Sequence, residues 1–305
     1  MNRLGSGVMI SILAMAVMPA SHAAEASVGN KLVVAALRGD STEVRKLLSK
    51  GASPNFADKD GCTPLIAAAG GGAKELEVWG NAITSKPAAS RGTAEIVRIL
   101  LAAGASPDPQ DNRRSTALMY AAEYGNTESV RALLDAHANP NLADSQGVTA
   151  LHFAARGGKT EIVSQLLRSG ATPDSRTIQG ATPLGVAATS GRTEVVRSLL
   201  AAGADPKGHD SHGQTWLISA AYGGFVEVMS ALVEAGAEVM ARDEGGNSAL
   251  TNAAYMGQTA ATAWLLDHGA EINARDKAGR TALGVARKRG HVDVAALLET
   301  RGGAE

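Results

Sequence analysis

The chain has 305 residues, 45% of them hydrophobic and 19% charged, which excludes wholesale disorder. A formal net charge of −1 argues against a nucleic-acid binder, which carries a basic surplus. An aromatic content of only 3% is unusual for a sandwich or barrel core, whereas the dominance of Ala, Leu and Gly suits short, closely packed helices.

In chain order, the first element is a targeting segment. Arg3 supplies a positive n-region, Val8 to Val17 an apolar stretch, and Ser21-His22-Ala23 small residues at the two positions that a signal peptidase reads. These features predict a secretory signal peptide over residues 1–23, with Ala24-Glu25-Ala26 offering a cut as late as 26. The apolar stretch is too short and wrongly flanked for a good membrane span; an uncleaved N-terminal anchor is the alternative. No Cys follows it closely, which disfavours a lipid anchor, and no other apolar run approaches spanning length. The mature chain is expected in a bacterial periplasm or secreted, as a monomer with no membrane span. The lone Cys62 rules out an internal disulfide framework.

Residues 27–305 are organised by a repeat. Thr116, Thr149, Thr182, Thr215, Ser248 and Thr281 recur at one constant interval, each two before a Leu. Counting back, Thr63 lies one such period and twenty further positions before Thr116, and Asn30 one period before Thr63, so eight units follow the signal peptide. In each unit the Thr, Ser or Asn is read as an N-cap, with Pro64 and Pro183 at the first helical position. A short apolar helix follows, such as Ala150 to Ala155, and a Gly nine past the cap stops it, as at Gly125 and Gly158. A second helix carries Val and Leu at helical spacing, for example Ile162, Val163, Leu166 and Leu167, and a second Gly stops it 21 past the cap. A polar stretch such as Asp144-Ser145-Gln146-Gly147 then suits a tight turn.

Cys62-Thr63-Pro64-Leu65 and Thr149-Ala150-Leu151-His152 resemble the opening motif of ankyrin repeats, and Gly203-Ala204-Asp205-Pro206 and Gly269-Ala270-Glu271-Ile272-Asn273 resemble their endings. The resemblance covers about residues 29–305. It implies an all-α repeat solenoid of eight stacked helix pairs with β-hairpin fingers on one side. It also implies partner binding along the groove between fingers and first helices. His152 falls at the His of the family's Thr-Pro-Leu-His pattern and reads as a structural hydrogen-bonder.

Four departures stand out. Twenty extra residues, near 72–91, must loop out between the helices of the second unit; they contain Trp79, an interface-anchor type that is otherwise read as folding back onto a helix. His137 occupies a helix-stop position held elsewhere by Gly, which calls for φ > 0. The first unit lacks the Thr-Pro opening. The last carries Arg287, Lys288 and Arg289 in its first helix and Glu299 in its second, read as a polar cap or, alternatively, a basic patch.

Catalytic machinery is not apparent. No Gly-rich phosphate loop, His-Glu-x-x-His or Gly-x-Ser-x-Gly element occurs, and His209, Asp210 and His212 lack the spacing of zinc sites. The chain is expected to be no enzyme, with no cofactor, metal or catalytic residue. Partner contacts are placed at the end of the first helices, on Glu123, Tyr124, Arg156, Tyr222, Tyr255 and Met256, and on the finger residues Arg113, Gln146, Ile178 and His212, with Trp79 in the insertion. This set suits a protein partner rather than nucleic acid or a small molecule. An inhibitor or immunity-type regulator of one enzyme, a metal-dependent enzyme built on the insertion and the His209–His212 finger, and a structural spacer are the competing readings.

Overall fold

The computed structural model describes residues 20–70 and 91–305, so the insertion, including Trp79, falls outside the described residues apart from its last position. Sixteen helices lie among the described residues, in consecutive pairs, and they fall into two compact units.

The first unit, up to Asn112, contains α1 (Ala20–Leu37), α2 (Ser41–Ser49), α3 (Pro64–Ala69) and α4 (Arg91–Ala102). Here one expectation fails: Asn30 is no cap, because α1 runs straight through it. Lys31 to Leu37 hold mainly helix formers and Val, and burying Leu32, Ala35 and Ala36 outweighs any cap at Asn30. Thr63 caps α3 as expected, its Oγ1 accepting the Ile66 N–H at 3.2 Å.

The second unit, from Arg113, holds the first helices α5 (Ala117–Tyr124), α7 (Ala150–Arg156), α9 (Pro183–Thr189), α11 (Trp216–Gly223), α13 (Ala249–Met256) and α15 (Ala282–Arg289). Between them come the second helices α6 (Thr127–Asp135), α8 (Thr160–Arg168), α10 (Thr193–Ala201), α12 (Val226–Glu234), α14 (Thr259–Asp267) and α16 (Val292–Thr300). First helices pack on first helices and second on second, making two layers. The core between them is Ala, Leu and Val, including Leu151, Ala155, Val163 and Leu166 at 0% exposure. Small residues let the backbones approach, so little aromatic material is needed.

The caps follow the period. The hydroxyls of Thr116, Thr182, Thr215, Ser248 and Thr281 accept the N–H three residues on, at 3.2–3.3 Å. At Thr149 a histidine takes part. His152 Nδ1 accepts the Thr149 N–H at 3.2 Å and faces the Thr149 hydroxyl at 3.0 Å, so Nε2 carries the proton and donates to the Ala181 carbonyl, 3.2 Å away. Burial lowers the pKa of this ring, which is 2% exposed.

The fingers are hairpin turns of minimal length. Among the described residues only isolated bridges occur, such as Ala143 with Thr149 and His209 with Thr215. A carboxylate closes each turn: Asp144 Oδ1 accepts the N–H groups of Gln146 (2.7 Å) and Val148 (2.9 Å), while the Asp144 N–H donates to the Val148 carbonyl at 3.0 Å. Asp210 and Asp276 repeat the arrangement. Burial alone would raise the Asp276 pKa, but hydrogen bonds from the Arg280 N–H, the Arg280 guanidinium and the Ala278 N–H outweigh it and hold the carboxyl below its usual range. One backbone bond joins each finger to the next: Ser145 N–H to Arg113 O, Ile178 N–H to Gln146 O, Ser211 N–H to Gln179 O.

Among the described residues, two L-residues adopt left-handed backbone. His137 has φ 62°, as its position among the helix stops predicts; Gly170, one period on, has 84°. Arg114 also has φ 62°, at a finger position where Gly147 follows one period later, so the fingers carry a third recurring glycine besides the two helix stops. Trp216 is a different departure. It stands where other units have Ala or Pro and is 2% exposed, fitting only because two positions lack side chains. A Cβ on Gly185 would meet its ring at 2.5 Å, and one on Gly208 would meet its Nε1 at 2.5 Å.

These local geometries fix the direction of several substitutions, readable as shifts in the urea midpoint. Gly185→Ala, mid-helix, should destabilise by about 1–3 kcal/mol because the ring has nowhere to go. Gly284→Ala, in the same register of α15 with only Thr281 Oγ1 near at 3.6 Å, should stabilise by about 0.5–1 kcal/mol. His137→Gly should stabilise by about 1 kcal/mol; a lowered midpoint would contradict the strain. For His152 the folded pKa lies below the unfolded 6.5, so its contribution is complete above that pH and is lost as pH falls. As pH falls below about 6.5, wild-type stability should therefore fall more steeply than that of His152→Gln, by at most about 1.4 kcal/mol per pH unit.

Candidate functional site

The first helices of the second unit end in a row of side chains at seven and eight past the cap. Each link in that row has its own chemistry. Arg156 Nη2 lies 3.5 Å from Glu123 Oε1, and its guanidinium sits over the Phe153 ring, which is half-buried rather than in the core. Tyr222 and Tyr255 stack with centroids 6.5 Å apart and planes 24° from parallel, while 42% and 37% exposed. Arg289 continues the row, its guanidinium carbon 3.8 Å from the Tyr255 ring centre. Met256 stands beside Tyr255, 38% exposed.

The row is braced from below. The residue ten past the cap stands at the start of the second helix, and the side chains of Lys159, Arg192, Phe225, Gln258 and His291 reach back across the preceding helix pair. Arg192 Nε donates to Arg156 O at 3.1 Å, Gln258 Nε2 to Tyr222 O at 3.3 Å and His291 Nε2 to Tyr255 O at 3.0 Å. Each thus holds the backbone of a row residue, relieving a carbonyl that the helix end leaves unpaired.

The sequence-derived site residues sort as follows. Tyr222, Tyr255 and Met256 come together in the exposed row, and Glu123 and Arg156 pair within it. Tyr124 is half-buried and contributes less surface. Arg113, Gln146 and Ile178 form consecutive finger tips linked through their backbones, with Ile178 67% exposed; His212 continues that line through the Glu244 N–H. Trp79 lies outside the described residues. In the His209–His212 finger, the Asp210 carboxylate is taken up by its own turn and His209 Nδ1 by the Asp210 carbonyl at 2.8 Å. Among the described residues no three His, Cys, Asp or Glu side chains group as a metal site.

Sequence reasoning missed Arg289, treated as part of a polar cap, and the bracing residues Arg192, Gln258 and His291. Their signal was available in part: the tenth position past the cap holds Lys159, Arg192, Gln258 and His291, though Phe225 interrupts the series.

No described helix is long and apolar enough to cross a membrane. No curated protein matches the chain. The family model described as ankyrin repeats matches it in three copies, over residues 87–177, 156–243 and 241–305. Repeats of this kind generally serve as protein–protein interaction modules and are typically non-enzymatic. With caps, helix pairs, turns and stops recurring across the matched residues, the chain belongs to the ankyrin-repeat family and folds as an all-α repeat solenoid.

Proposed function

We propose that this chain works outside the cytoplasm, in a periplasm or after secretion, as a module that binds one protein partner along the row at the ends of its first helices and along the finger tips. The observation that carries the reading is the exposed stack of Tyr222, Tyr255 and Arg289. Two tyrosines left more than a third exposed, held in register by Gln258 and His291 beneath them, are rigid amphipathic contact area presented at low entropic loss. Tyr and Arg are residue types that dominate interface hot spots. Export rests on Arg3, the apolar stretch of residues 8–17 and Ser21-His22-Ala23. A cut at either site would leave Leu32, Ala35 and Ala36 of α1 to pack the first helix pair.

One preparation tests both parts. Full-length chain expressed in a bacterial host should be recovered from the periplasmic fraction with a mass starting at Ala24 or Ser27. Recovery of the intact 305-residue chain from the membrane fraction would instead support the anchor. Used as bait, the processed chain should capture a partner at one-to-one stoichiometry. The Tyr222→Ala/Tyr255→Ala variant, checked for an unchanged circular dichroism spectrum, should lose it. Retention by that variant would move the site to the fingers or the insertion.

A further inference from the structure

The near-neutral chain hides a segregation of charge within its second unit. Along the first helices and the tenth-position residues that follow them, the bases are Arg156, Lys159, Arg192, Arg287, Lys288 and Arg289, against a single carboxylate, Glu123, itself paired to Arg156; Arg287 is paired to Glu299 and Glu305 from outside this layer. The second helices carry the opposite balance, with Glu128, Glu161, Glu194, Glu227 and Asp293 in their first turns. Helix dipoles account for those acids, and for bases in the last turns of α7 and α15. They do not account for Lys159 and Arg192, which stand at the N-caps of α8 and α10, where a cation opposes the dipole. Lys159, Arg192, Lys288 and Arg289 are all exposed and meet no carboxylate within ion-pair distance among the described residues. The basic field thus persists where local helix energetics work against it.

We propose that the partner of this row is an acidic protein segment, one that sets carboxylates against Lys159, Arg192, Lys288 and Arg289 and an apolar side chain on Tyr222, Tyr255 and Met256. The proposal rests on the reading of the row as a protein-binding site and adds the chemistry of what it binds. Arg289 is the hinge between the two kinds of contact. With its guanidinium carbon 3.8 Å from the Tyr255 ring centre and its side chain exposed, it can meet a carboxylate while still in contact with the ring. A polyanion such as nucleic acid fits less well. Its phosphates need an unbroken basic track, whereas here Thr189, Ser190, Tyr222, Gly223, Tyr255 and Met256 interrupt the bases.

The test uses the processed full chain and synthetic probes. A fluorescein-labelled peptide alternating Glu-Glu with Leu is titrated by anisotropy, beside a Gln-for-Glu version and a single-stranded oligonucleotide. The charge variant is Lys159→Gln/Lys288→Thr/Arg289→Ser. Each change copies the residue that another helix pair carries at the same position (Gln258, Thr189, Ser190), so the fold is retained. The expected result is binding of the Glu peptide that weakens with salt, falls at least about tenfold in the charge variant, and is at least about tenfold tighter than the Gln peptide. Equal binding of the Gln peptide, an unchanged affinity in the charge variant, or tighter binding of the oligonucleotide would each overturn the proposal. The Tyr222→Ala/Tyr255→Ala variant separates the two readings. If it abolishes capture of the natural partner while the charge variant leaves capture intact, the row stands and its acidic partner falls. If neither variant alters capture, the row itself is the wrong surface.

Discussion

Where the first helices of the second unit end, from α5 to α13, the chain must turn left-handed and, at the same point, admit a side chain from the next helix pair. Both demands fall on the glycine nine past the cap. At Gly191, φ is 65° and a Cβ would stand 2.6 Å from the Phe225 ring; at Gly224, φ is 74° and it would stand 2.5 Å from Gln258 Oε1. The missing side chain is therefore a notch, and the tenth-position residue of the following pair is the wedge that enters it. That fit sets the distance between pairs, and with it the packing of Ala and Leu in two layers. It also puts the wedge beside the carbonyls of Arg156, Tyr222 and Tyr255, so the contact that spaces the stack is the one that holds the exposed row in place.

Much of this was legible in the sequence because it depends on the backbone. A cap hydroxyl, a proline at the first helical position and a glycine at a left-handed turn are each demanded by one local geometry, so their recurrence at a fixed period names the geometry directly. His137 shows how far that goes: its backbone angle follows from its place in a period of glycines. The missed elements are of two kinds. Asn30 copied the period without the context, because α1 is continuous where later first helices begin afresh after a finger. The Asp at the base of the fingers was missed for a different reason: its role, taking up the turn N–H groups, belongs to the side chain and leaves no mark in the helix period.

The exposed row at the ends of the first helices was half legible. Its tyrosines could be found by counting, since three of the four in the chain fall seven or eight past a cap. What joins them could not. That Arg289 lies on Tyr255, or that Trp216 displaces two glycines' worth of side chain, is a relation between residues far apart in the chain, and composition carries no trace of it. The charge segregation is similar. The near-zero net charge hides layers of opposite sign within the second unit, and only the assignment of residues to layers separates them.

The notch at the end of each first helix accepts very different wedges: a lysine, an arginine, a phenylalanine, a glutamine and a histidine fill it in turn. None of them is matched to a particular neighbour, because what they meet is bare backbone. A helix pair copied within the gene would arrive carrying its own wedge in front and its own notch behind. It would seat at any junction without repair on either side. The same indifference leaves the seven- and eight-past-cap positions at liberty to diverge after copying. The array is thus built so that length and recognition can evolve separately, the first by duplication and the second by point substitution on a frame that does not notice.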